Sequence, residues 1–209
     1  MNLKNILIAV GSIITTFVLL FIIYKFTNAP VRTEFPEINI VKTQDHKKWN
    51  LQSKNIIVEY SDYVCPACNS LHSFLNEMGK TATPDARLVF RHFPLYQVHP
   101  VSFNAAYAAE AASIQDKFWE MSDLLFNNQA EWSKLAQPEP YFINLAKKLN
   151  LNLDKFKKDM ISQAVKDRVQ TDLSEGEKIG INSTPSFFLN GKRIEVNNIE
   201  ELKTLLKNI

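Results

Sequence analysis

The spacing of apolar residues changes several times along this chain, and each change marks an element. From Ile6 to Tyr24 the chain is apolar or uncharged throughout, between Lys4 and Lys25. A run of about 19 residues suits a bilayer crossing and exceeds the roughly 7–15 apolar residues of a signal peptide. Further on, Ile56 to Tyr60 is a short apolar run that predicts a strand buried on both faces. Leu71, Phe74, Leu75 and Met78 follow at helical spacing, and Leu88 to Phe93 predicts a second strand. A helix between two strands makes them parallel.

From Ser102 to about Gly180 the pattern is helical. Ser102 is expected to cap a helix with alanine at 105, 106, 108, 109, 111 and 112, whose small side chains permit close packing. Phe118, Met121, Leu124, Leu125 and Phe126 give a second apolar face, and Pro138 and Pro140 open a third helix. A short helix at Asp154 to Lys158 precedes a long one from Ile161 to Ile179. Aromatics at this spacing are read as core. The ending returns to sheet: Phe187-Phe188-Leu189, Asn190-Gly191, then Lys192 to Val196 predicts a tight hairpin. Asn198 is placed to cap a last amphipathic helix bearing Ile199, Leu202, Leu205 and Leu206.

The region from Asn28 to Asn55, with Pro30 and Pro36, reads as a tether holding one short strand near Ile38 to Val41. Asp45-His46-Lys47-Lys48 reads as a solvated turn. Thr27-Asn28-Ala29 loosely fits a cleavage site, but Pro30 would follow the cut directly, so an uncleaved anchor is favoured over a removed signal.

Composition adds little. The formal charge of +2 comes from the first segment; without Lys4 and Lys25 there remain 22 basic and 22 acidic residues. No basic stripe interleaved with aromatics is present, which argues against a nucleic-acid surface.

The chemistry sits in Cys65-Pro66-Ala67-Cys68, which contains both cysteines of the chain. The predicted helix opens there. A thiol in the first turn of a helix faces unpaired N–H groups and the positive end of the dipole, which favour thiolate. Pro66 suits a first helical position, and Cys68, one turn on, is close enough to close a disulfide or resolve a mixed one. In an exported domain such a dithiol fits an oxidising compartment. Two alternatives compete. Cys65, Cys68 and His72 share a helical face, but a zinc site would need a fourth ligand. A structural disulfide across so short a loop would restrict the unfolded chain little. Glu59 interrupts its strand, and either points to solvent at the strand end or lies buried beneath the cysteines as a proton acceptor with a raised pKa. His92 and His99 are read as strand-end and loop residues without a catalytic role.

Four segments carry a resemblance to a known family: Glu59 to Cys68, Phe90 to Leu95, Lys117 to Met121 and Gly180 to Phe187. Together they resemble the thioredoxin superfamily, specifically its DsbA-type branch. The resemblance implies an α/β thioredoxin fold in which β-α-β and β-β-α halves share one sheet around an inserted helical subdomain. The expected layout is a transmembrane anchor at 1–27, a tether at 28–53, fold halves at 54–97 and 181–209, and the insertion at 98–180.

The same resemblance makes Cys65 the exposed attacking sulfur and Cys68 the buried resolving one. It places Glu59 at a buried acidic position and Thr184-Pro185 in a cis-proline loop facing the disulfide, where an extended client chain can add as a strand. It implies no organic cofactor and no metal. The implied partners are reduced or unfolded exported proteins and a quinone-linked membrane thiol oxidase that restores the disulfide. The expected location is the cell membrane, with the catalytic domain on the periplasmic or extracellular side. The motif departs from strongly oxidising members in carrying Pro-Ala where they carry Pro-His. Oxidase, isomerase and reductase therefore stay open, as does a non-catalytic metal- or protein-binding module.

Overall fold

The computed structural model of the chain describes residues 2–27, 33–81, 83–196 and 198–209. It divides into two units, Met1–Thr33 and Glu34–Ile209. The first is built on one helix, α1 (Leu3–Thr27). Within it Leu3–Lys25 is long and apolar enough to cross a membrane. The expected cleavage site and the start of the expected tether fall on residues 28–32, outside the described residues.

The second unit begins with a single 3-10 turn, Pro36–Asn39, and strand β1 (His46–Trp49). Next come β2 (Ile56–Ser61), α2 (Pro66–Thr81) and β3 (Arg87–His92). Six helices follow: α3 (Ser102–Ser113), α4 (Phe118–Asn127), α5 (Gln129–Trp132), α6 (Glu139–Lys148), α7 (Leu153–Met160) and α8 (Gln163–Lys178). The chain closes with β4 (Ser186–Leu189), β5 (Lys192–Ile194) and α9 (Ile199–Lys207).

One five-stranded sheet has the order β1-β3-β2-β4-β5. β2 and β3 are parallel, as the intervening α2 requires, whereas β4 runs antiparallel to β2 and to β5. The β2-α2-β3 and β4-β5-α9 halves thus share a sheet, with α3 to α8 inserted between them. This is the thioredoxin fold expected from the sequence. Asn190 (φ 50°) and Gly191 (φ 79°) form the β4–β5 turn, and the Asn198 side chain accepts from Glu201 N at the start of α9.

Three expectations need correction. The stretch read as a solvated turn is β1, which pairs antiparallel with β3 from His46↔Phe90 to Trp49↔Arg87. Its His-Lys-Lys-Trp sequence hides the strand because Lys48 lies its stem along the protein and its ammonium over the Trp119 ring, 4.3 Å from the centroid. The strand expected near Ile38 is instead the 3-10 turn, which buries Ile38. Ser102 does not cap α3: Val101 holds that position without a side-chain bond, and the Ser102 hydroxyl donates to Asp62 Oδ2 at 2.9 Å.

Alternation along β2 divides the core. Ile57 packs with Leu71 and Leu75 of α2 and with Leu202 and Leu206 of α9. Val58 and Tyr60 face the other way, against Phe93, Leu173 of α8 and Phe188. Here α8 approaches so closely that a Cβ on Gly176 would lie 2.7 Å from the Phe93 ring. The third cluster joins the alanine face of α3 to Phe118, Phe126, Trp132, Phe142 and Phe156, and it includes Cys65, Cys68 and Phe90. The cysteines therefore sit where the inserted helices meet the sheet.

Candidate active site

The strand-to-helix turn after β2 is set by Asp62. Its Oδ1 accepts from Val64 N at 2.9 Å, and its main-chain oxygen accepts from Cys65 N at 3.1 Å. Its Oδ2 accepts from Leu95 N (3.0 Å), His99 Nδ1 (2.7 Å) and Ser102 Oγ (2.9 Å). A buried carboxylate with this many donors is fully compensated. It ties the cysteine turn to the 94–102 loop. From the opposite side Gln129 Nε2 donates to the carbonyls of Tyr63 (2.8 Å) and Cys65 (3.0 Å). The sequence reading singled out neither Asp62 nor Gln129. Asp62 had a local signal, an Asp three residues before a helix start; Gln129 had none.

Helix α2 begins at Pro66, and Asn69 N donates to Cys65 O at 3.1 Å to close its first turn. Cys65 therefore stands at the N-cap, facing the unpaired N–H groups of that turn. Both cysteines are free thiols in this structure. A hydrogen bond from Cys68 brings the Cys65 pKa down to about 5, with further help from Thr184 and from the N–H groups of Cys68 and Ala67, against the upward push of burial. Burial, reinforced by the neighbouring Cys65, holds Cys68 well above the ordinary thiol value. Cys65 is less open than the resemblance implies: its residue is 7% exposed, against 0% for Cys68.

Across from Cys65 lies the loop before β4. The Thr184–Pro185 bond is cis, and the Thr184 carbonyl oxygen accepts from Cys65 Sγ at 3.4 Å. Both residues of this loop are half-buried.

Glu59 does not point to solvent. It is 2% exposed, on the face of β2 that α2 covers. Burial pushes its pKa up to about 7, opposed by the Ser61 hydroxyl and by the charge of Lys48. Lys48 reaches the same face from β1, and burial in turn lowers its own pKa. Its Nζ donates to Asn76 Oδ1 at 2.7 Å.

His72 does not join the cysteines. Its Nε2 bonds Asp123 Oδ1 at 2.8 Å, and its ring packs against Phe126. Among the described residues, His46, His92 and Glu110 are near enough to share an ion, with ligand atoms within 4.8 Å of one another. Both histidine Nε2 atoms already bond Glu110 Oε1, at 2.7 and 2.8 Å. Arg168 adds a positive charge 3.9 Å from that oxygen. This grouping satisfies itself without a metal.

Comparison with known proteins agrees with this geometry. The family model described as thioredoxin matches residues 45–208. BdbD from Bacillus subtilis, in its oxidised crystal structure, superposes with a TM-score of 0.70 at 21% identity, over 87% of this chain and 98% of that one. Wolbachia pipientis alpha-DsbA1 gives 0.68 at 20% identity, over 83% and 94%. At such identities the likeness is one of fold. In sequence, 154 residues (72% of this chain) are 38% identical to the Na(+)/H(+) antiporter NhaA 1 of Mycobacterium sp. (strain KMS), covering 24% of that protein. NhaA 3 of Salinispora tropica is 35% identical over 150 residues, or 22% of its length. The chain spans about a quarter of the length of these curated relatives, and ion transport is not carried over from them. With its matched residues running from β1 through α9, the chain belongs to the thioredoxin family, in the fold that DsbA-type oxidoreductases share.

Proposed function

We propose that this chain is an exported, membrane-anchored thiol:disulfide oxidoreductase that introduces disulfide bonds into other exported proteins. The observation that carries the reading is the asymmetry of the cysteine pair: Cys65 is held as thiolate near neutral pH while Cys68 stays protonated. A low pKa makes Cys65 a good leaving group and stabilises the reduced enzyme, so the Cys65–Cys68 disulfide is an oxidant.

A client thiolate attacks Cys65 Sγ of that disulfide, and Cys68 leaves. A second client thiolate then attacks the client sulfur of the mixed disulfide and expels Cys65 as thiolate. The client loses two electrons and the enzyme gains them. The sulfurs carry the electrons, so the reaction calls for no organic cofactor. Glu59 takes the role of proton donor and acceptor for the buried sulfur. The open N–H and C=O groups around Thr184-Pro185 receive an extended client segment regardless of its sequence. By family resemblance a quinone-linked membrane thiol oxidase restores the disulfide, and α1 holds the domain at the membrane on the periplasmic or extracellular side.

The test is trapping. Cys65→Ser should abolish oxidation of a reduced client, while Cys68→Ser should accumulate mixed disulfides through Cys65, seen by non-reducing electrophoresis and mass spectrometry. Failure to trap any client sinks the assignment.

A second reading is a reductase or isomerase kept reduced by a membrane donor. One observation favours it: a Cys65 pKa of about 5 falls between roughly 3.5 in DsbA and about 7 in thioredoxin. Equilibration with glutathione separates the two. A potential near about −120 mV marks an oxidant and one near about −270 mV a reductant.

A further inference from the structure

We propose that the Ser61 hydroxyl is the relay through which the buried sulfur of Cys68 exchanges its proton with Glu59. The proposal rests on the disulfide-exchange reading and adds a residue to it. In a strand, residues two apart share a face, so Ile57, Glu59 and Ser61 of β2 all point the same way. Ile57 packs against Leu71 and Leu75, which makes this the face that α2 covers, and Cys68 lies in the first turn of α2. Ser61 (1% exposed), Glu59 (2%) and Cys68 (0%) are all sealed from bulk water. A proton leaving or reaching Cys68 must therefore pass to a neighbouring side chain.

The Ser61 main chain is fixed: its oxygen accepts from Phe93 N at 2.8 Å, and its register places it opposite His92 of β3. Its hydroxyl is uncommitted. Ser61 Oγ and Glu59 Oε1 are buried side-chain atoms without a well-formed hydrogen bond among the described residues, an arrangement that costs stability unless the groups have other work. Ser61 nonetheless lies near enough to both acids to oppose, at each, the upward push of burial. A hydroxyl donates one hydrogen bond and accepts two, so it can take a proton on one side while giving one up on the other. The other groups facing this trio are Lys48 from β1, which faces Glu59, and Cys65 at the N-cap of α2, which faces Cys68. The Tyr63 phenol, whose titration senses Glu59, is bonded to Ser122.

The balance runs as follows when a client thiolate opens the enzyme disulfide. The bond from Cys65 to the client sulfur forms, and the Cys65–Cys68 bond breaks with its electron pair on Cys68 Sγ. Ser61 gives its proton to that sulfur and takes one from the Glu59 carboxylic acid. The result is a Cys68 thiol, an intact Ser61 hydroxyl and a Glu59 carboxylate, which recovers its proton from solvent between turnovers. Reoxidation runs the same transfer in reverse.

The experiment uses the full chain, a reduced client peptide and stopped-flow tryptophan fluorescence to follow disulfide opening across pH. Ser61→Ala should slow opening about tenfold near neutral pH, a modest share of what general acid catalysis supplies. It should flatten the limb that Glu59 gives the wild-type profile and leave Cys65 alkylation by iodoacetamide unchanged. Because hydroxyl and carboxylate act in series, Glu59→Gln/Ser61→Ala should be no slower than the slower single variant. An unchanged rate and profile in Ser61→Ala overturns the relay, as do additive losses in the double variant or a shift in Cys65 alkylation that reports a displaced helix. If the wild-type enzyme opens on no client, the exchange reading itself fails; an inert Ser61→Ala alone leaves that reading standing.

Discussion

Around Cys68 buried polar atoms outnumber their partners, whereas around Arg168 buried charges are matched. The two regions share β2 and β3 but are built on opposite plans. Arg168 reaches Asp172, Asp45 and Glu110. Asp45 also pairs with Arg91 Nη2 at 3.0 Å, and Glu110 holds His46 and His92. Each carboxylate there faces a positive or donor group from another element, so β1, β3, α3 and α8 are clamped together. Beneath the cysteines, Glu59 has only Lys48 as a charge partner and leaves an oxygen unbonded. Matched charges set a structure; a buried acid with one distant counter-charge is poised to gain or lose a proton.

The largest effect expected from this contrast is on the matched side. Arg168→Met leaves several buried carboxylates short of a cation and should cost about 3–5 kcal/mol, read as a lower urea midpoint with an unchanged slope. Cys65 alkylation should keep its half-maximal rate near pH 5. A move of that titration would show that the two regions are not separable.

Next comes Glu59→Gln, whose effect on stability depends on pH. Burial raises the Glu59 pKa from 4.5 to about 7, so the folded chain holds more protons than the unfolded chain above the lower value. Stability then falls as pH rises through this window, and the whole penalty is present above the folded pKa. The gap corresponds to about 3 kcal/mol. Gln removes the penalty. The variant should match wild type at pH 4 and exceed it at pH 8 by up to that amount, measured by urea unfolding at both values. Equal stability at pH 8 would mean that Glu59 is compensated as fully as Glu110, and the comparison would collapse.

How far the sequence alone reached follows the same divide. The cysteine turn, α2 and the β4–β5 hairpin are local: apolar spacing, a proline at a helix start and an Asn-Gly pair are enough to place them. The cis bond at Thr184–Pro185 has no local signature and came only through family resemblance. β1 was missed because Lys48 and His46 cover apolar neighbours with polar tips, an arrangement that looks like a turn until Trp119 and Phe118 are brought beside them. Asp62, Gln129 and Ser61 were passed over because their partners are remote in the chain; Gln129 meets the Cys65 carbonyl across 64 residues. The fold was legible from short-range pattern, and the support beneath the cysteines was not.

The smallest effect concerns Lys48, the one counter-charge that the poised region has. Its ammonium lies over Trp119 and donates to Asn76, and burial already lowers its pKa. Its positive charge favours the Glu59 carboxylate and so restrains the rise that burial imposes. Lys48→Met keeps the stem that packs against Trp119 and removes the charge. Glu59 should then titrate higher, and the limb it gives the pH profile of disulfide opening should move upward by a fraction of a pH unit. The Cys65 alkylation profile should stay where it is, because the groups that hold its thiolate are Cys68, Thr184 and the helix N–H groups. A downward movement of the Glu59 limb would contradict the sign of this argument. It would mean that Lys48 acts there by excluding water rather than by its charge.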